Sequence, residues 1–118
     1  MAEKQPTLVI ISEDPRRSHR ANEAMRIALG VVAGENEVRI VLAGGGVHLL
    51  DDDTEELVDG DDVAKYRTSL RKLGVPFHVE GPALPEDQGW NGEGHAVIPI
   101  GPEGIAALAS KTSRFIVF

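Results

Sequence analysis

The chain has 118 residues, a formal charge of −7 and no cysteine. That length suits one domain with a real core, since two domains of about 60 residues would each bury too little surface. Without cysteine there are no disulfides, cysteine zinc sites, iron–sulfur clusters or thiol catalysis, and the acidic balance argues against a general nucleic-acid binder.

Thr7 to Ser12 (TLVIIS) is a continuous apolar run that reads as a buried strand of a parallel sheet. Glu13-Asp14-Pro15 breaks it. From about Ser18 to Ala33 the period becomes helical, with Ala21, Ala24, Met25, Ala28, Val31 and Val32 on one face. Ser18 or Asp14 is the expected cap, and Gly34 the expected left-handed stop. Glu37 to Ala43 (EVRIVLA) is a second strand, followed by Gly44-Gly45-Gly46 and a short helical turn, Val47 to Leu50.

Between Asp51 and Asp62, eight of twelve residues are acidic. Such a block predicts a solvated, mobile surface segment. Asp61 to Leu73 is a second helix: Val63, Tyr66, Leu70 and Leu73 form its apolar face, and Lys65, Arg67, Arg71 and Lys72 fall outside it. Gly74 caps it, and Val75 to Glu80 is a third strand. Gly81 to Gly94 reads as a long loop, Ala96 to Ile100 as a fourth strand, Pro102 to Ser110 as a helix and Arg114 to Phe118 as a fifth strand. The alternation predicts a single-domain, three-layer α/β/α fold with a five-stranded, mainly parallel sheet over 1–118.

In such sheets the ligand crevice lies beyond the carboxyl ends of the strands. Three segments should meet there: Ser12 to His19, Ala43 to His48 and Glu80 to Trp90. The first leads into a helix N-terminus, where Arg16, Arg17 and His19 suit an anion. The plainer reading pairs those arginines with Glu13 and Asp14, or leaves them solvated. Gly44, Gly45 and Gly46 fit neither dinucleotide nor P-loop spacing, so a tight turn is favoured over a phosphate cradle. The acidic block fails the EF-hand pattern, because Glu56 stands where glycine is needed. The four histidines show no metal spacing. His48 and His19 both follow strand ends, which makes them an acid–base candidate, with Glu80 a second if desolvated. Trp90, alone in a polar loop, either packs back on the core or anchors an interface. No metal or cofactor is expected.

The opening strand, the D-P turn and the helix Asn22 to Gly30 resemble the DsrE-like family of sulfur-relay proteins. So do Gly45-Gly46-Val47-His48-Leu49-Leu50 after the second strand, and Leu73-Gly74-Val75-Pro76 before the third. The similarity runs from about Thr7 to Phe118. It implies a five-stranded fold of the YchN type, often assembled as homotrimers, hexamers or hetero-oligomers. The strand-end rule, apart from the resemblance, places the crevice at Ser12, Arg16, Arg17, His19, Gly44 to Gly46, His48, Glu80 and Gly81. The family's sulfur-transferring members carry a persulfide cysteine just after the third strand. Here Glu80 or Gly81 stands at that point, and neither can carry sulfur as a thiolate does.

Three readings follow. The first is a non-catalytic oligomeric module that binds a protein partner or a small ligand. The second is an enzyme using His48, His19 and Glu80. The third is an anion or nucleotide binder using Arg16, Arg17 and the Gly44 to Gly46 backbone, which the family's transfer-RNA partners favour and the charge opposes. The apolar strand ending in Phe118 must lie inside the sheet or be covered by a partner, since an exposed apolar edge invites association. An oligomer with Trp90 at its interface is expected, which the resemblance makes a homotrimer or hexamer; the plainer reading is a monomer with that strand central. No run reaches the roughly 20 apolar residues of a membrane span, and the polar Met1–Pro6 is too short for a signal peptide, so a cytoplasmic location is expected.

Overall fold

A computed structural model describes residues 6–85, 89–112 and 114–118. The start of the N-terminal segment, 1–5, and residues 86–88 of the long loop lie outside these. The element order is β1 (Thr7–Ile11), α1 (Arg20–Ala33), β2 (Val38–Leu42), α2 (Gly60–Lys72), β3 (Phe77–Glu80), β4 (Val97–Ile100), α3 (Pro102–Ser110) and β5 (Arg114–Val117). Single-turn 3-10 helices occupy Thr54–Glu56 and Gly81–Ala83, and a longer one Gly44–Leu50. The sheet order is β4-β3-β2-β1-β5, and all four pairings are parallel.

The apolar runs become strands because their alternating side chains serve two faces. Val9, Ile11, Val38, Ile40, Leu42, Phe77 and Val79 point to one face and pack with Ala21, Ala24, Met25 and Ala28 of α1 and Val63 and Leu70 of α2. The small alanines of α1 let the helix lie close to the sheet. The register puts Leu8, Val41 and Ile10 on the opposite face, in line with Phe115, Ile98 and Val117. Crossovers between parallel strands are right-handed, so the connection from β4 back to β5 carries α3 over that second face.

Several boundaries differ from the sequence reading. Gly34 is not the left-handed residue: its φ is −83°, and Glu35 takes the turn at +63°. Asn36 Nδ2 donates to the Gly34 carbonyl and stabilises this exit. His19, not Ser18 or Asp14, holds the cap position of α1, while the Ser18 hydroxyl accepts from the Arg20 N–H. Gly74 behaves as expected, at φ +74°. Val75 and Pro76 stand before β3, whose first paired residue is Phe77. The acidic block is also better anchored than its charge suggests. Leu57 is buried, the Val58 N–H donates to the Pro15 carbonyl, and the Asp53 carboxylate accepts from Glu55 N. Its carboxylates remain mostly exposed, as like charges require.

Two substitutions test this account by urea unfolding. Glu35→Gly removes the cost of a left-handed side-chain residue and should stabilise the protein by about 0.5–1 kcal/mol. Gly46→Ala should destabilise by about 2 kcal/mol or more, because a Cβ there would drive into the Ile11 carbonyl at the end of β1.

Candidate functional site

The carboxyl ends of β1 and β2 are joined by glycine. Gly44 is left-handed (φ +49°), a Cβ on Gly45 would lie 2.8 Å from Asp14 Cβ, and Gly46 packs on the last carbonyl of β1. The glycines therefore serve close approach of two strand ends, which is the tight-turn reading. Asp14 closes the first loop: its Oδ1 accepts from Arg16 N, and its carbonyl accepts from Arg17 and Ser18. The Arg16 side chain donates from Nε and Nη2 to the same carboxylate at 3.0, 3.2 and 2.7 Å. That ion pair holds the Asp14 carboxyl below its usual range. Arg16 is therefore paired, and the anion reading loses its main cation.

His48 sits on the 3-10 turn one helical step from Asp51. Its Nδ1 lies 3.1 and 3.0 Å from the two Asp51 carboxylate oxygens. Burial pushes the Asp51 carboxyl up, against the pull of His48 and Arg16. The four groups Asp14, Arg16, His48 and Asp51 act on one another electrostatically. The remaining expected site residues fall around them unevenly. Ser12 N and Oγ both donate to the Phe118 carbonyl. Arg17 and His19 are exposed, and the charged neighbour of His19 is Glu23 rather than His48. Glu80 ends β3 half-buried, and Gly81 opens a turn that packs on Gly44–Leu50. Among the described residues no three His, Asp or Glu side chains converge as a metal site would require.

The residue that the sequence reading misplaced is Arg67. It falls on the polar side of the α2 pattern, yet it is 2% exposed and the largest fully buried side chain. Its Nη1 donates to the carbonyls of Leu49 (3.1 Å) and Asp51 (2.7 Å), and its Nε and Nη2 donate to Glu93. Arg71 Nη1 adds a bond to the Glu93 carbonyl at 2.8 Å. One guanidinium thus ties α2 to the end of the 3-10 turn and to the long loop. Buried carbonyls need donors, and a five-donor fork supplies them where a lysine would not.

The loop is fixed by further bonds. Trp90 forms an antiparallel bridge with Asp51, its indole N–H donates to the Val47 carbonyl at 2.6 Å, and its ring packs on the core. Of the two expectations for this residue, the structure shows packing on its own core. Gly92 N donates to Asp52 Oδ1, and Asn91 brackets His95 through both side-chain atoms. His95 is 5% exposed and stacks edge-on to Phe77, with Glu93 Oε2 3.3 Å from Nε2 in an oblique contact. Burial holds the His95 ring below its ordinary pKa, and Arg67 adds to this against the pull of Glu93. Burial favours a protonated Glu93, but Arg67 and His95 outweigh it, so the carboxyl lies below its usual range.

The comparisons with known proteins agree with this architecture. The model of the DsrE/DsrF-like family matches residues 5–118, so the chain belongs to that family. The crystal structure of the YchN protein from E. coli superposes with a TM-score of 0.71 at 16% identity, covering 96% of this chain and 99% of that one. At that identity the likeness establishes the fold alone. No curated protein matches significantly.

Two measurements check the site. Arg67→Met should lower unfolding free energy by about 3 kcal/mol, because it strands two carbonyls and a carboxylate. His95 and His78 are both held below their ordinary pKa by burial. Below about pH 6.5 the unfolded chain therefore binds protons that the native state refuses, and stability falls with falling pH by at most about 1.4 kcal/mol per unit for each ring. Thermal melts from pH 7.5 to 5.5 should show this fall, and His95→Gln should make it smaller.

Proposed function

We propose that this DsrE/DsrF-like protein is a non-catalytic assembly and binding module that works as a homo-oligomer, a trimer or a hexamer, and does not carry sulfur. The observation that carries the reading is the second face of the sheet. β5 is an edge strand, not a central one. Phe115 and Val117 on it are 52% and 53% exposed, and Ile98 on the opposite edge is 44% exposed. These are three of the five large apolar side chains exposed among the described residues, and all three lie on the same face. α3 lies over that face with an apolar sequence and no buried residue.

A second copy is the occupant that fits best. Parallel sheets are ordinarily covered on both faces. The stretch 96–118 contains one acidic and two basic residues, so a like-charged copy of a −7 chain meets little repulsion there. The family resemblance, with its trimers and hexamers, points the same way. Trp90 is spent on its own core, so the interface is assigned to α3 and the two edge strands. The absence of cysteine from these 118 residues supports the other half of the reading, since persulfide chemistry needs a thiolate.

Light scattering on the purified protein should give three or six times the 12.7 kDa chain mass. The double substitution Phe115→Ser, Val117→Asp should reduce it to the monomer while leaving far-UV circular dichroism unchanged. A wild-type monomer at tens of micromolar would refute the proposal.

A further inference from the structure

The pair His48–Asp51 is built more firmly than a surface contact needs. The Asp51 carbonyl is held by buried Arg67, its strand bridge to Trp90 fixes the backbone, and the Val47 carbonyl accepts the Trp90 indole N–H. Both ends of the 3-10 turn that carries His48 are therefore pinned, one by glycine packing on β1 and the other by the Arg67 fork. A carboxylate only accepts hydrogen bonds, so the ring nitrogen facing Asp51 must carry the hydrogen. In the neutral ring that leaves Nε2 as a lone-pair acceptor. Both side chains are part-buried but reachable from solvent.

The local charge selects the ligand. Arg16 is taken up by Asp14 through a bidentate contact, which cancels both. Asp51 remains, beside the His48 ring, in a chain of charge −7. Anions are disfavoured there, and the described acidic side chains do not converge for a metal. We infer that His48 and Asp51 form a small-ligand site at the carboxyl ends of β1 and β2, which takes a primary ammonium or similar cationic hydrogen-bond donor at His48 Nε2 and refuses anions. The site is separate from the sheet face proposed for assembly, since the turn that carries His48 packs through Val47, Leu49 and Leu50 into the core on the α1–α2 side.

The test is nitrogen-15 NMR of the histidine rings in the full chain. Near pH 8 the His48 ring should show the Nδ1–H tautomer, whereas exposed histidine side chains, such as His19, favour Nε2–H. Methylammonium chloride should then shift the His48 resonances saturably, and sodium acetate at equal ionic strength should not. Asp51→Asn should weaken the methylammonium response about tenfold or more, because a charged partner is lost. That variant keeps the Asp51 carbonyl that Arg67 binds, and the wild-type tautomer and titration stand without it should it fail to fold. An Nε2–H tautomer at His48, saturation by acetate instead of methylammonium, or no saturable shift with either salt would each overturn the inference.

Discussion

Five parallel strands make a sheet whose two faces both need cover, and this chain covers them unequally. α1 and α2 bury one face with alanines, Met25, Val63 and Leu70. Among the described residues, the helix on the other face is α3, nine residues long with no buried side chain. Its centre is closed, since Leu8 and Val41 are fully buried, but its edges at Ile98, Phe115 and Val117 are open. A helix this short is marginal without tertiary packing, so its stability depends on what lies against it. The assembly reading follows from that imbalance.

The second organising contact is polar. Arg67 makes one rigid unit of α2, the turn after β2 and the loop before β4. Burying a charge is costly unless it is paired and hydrogen-bonded, and here the carbonyls of Leu49 and Asp51 and the Glu93 carboxylate take four of its five N–H donors. The consequence reaches the strand ends. Asp51 receives Arg67 on its carbonyl, a strand bridge from Trp90 on its backbone and His48 on its carboxylate. The geometry of the candidate ligand site is thus set in part by a helix residue that binds the Asp51 backbone and not its carboxylate.

The sequence made the elements legible because their periods differ. TLVIIS and EVRIVLA have the continuous apolar character of strands buried on both faces, and the alanine stripe of α1 has the spacing of a packed helix. Arg67 was not legible, because helical periodicity assigns charge to solvent and cannot see a partner 26 residues further on at Glu93. Glu35 was hidden for a related reason: glycine is the usual left-handed residue, and Gly34 stood beside it. The charge at the strand ends was not legible either. Arg16 reads as an anion anchor until the bidentate contact with Asp14 is seen. The His48–Asp51 pair was within reach of the sequence, as an i, i+3 spacing on a short turn, but that spacing alone carries little information.

The central claim is that a second copy covers α3 and β5. Amide hydrogen exchange of Pro102–Ser110 tests it most directly, read against α1 (Arg20–Ala33) in the same sample. If the face is covered, the α3 amides are protected to a degree comparable with those of α1. If they exchange at the rate of exposed loops while α1 stays protected, the face is bare in solution and the assembly account is wrong.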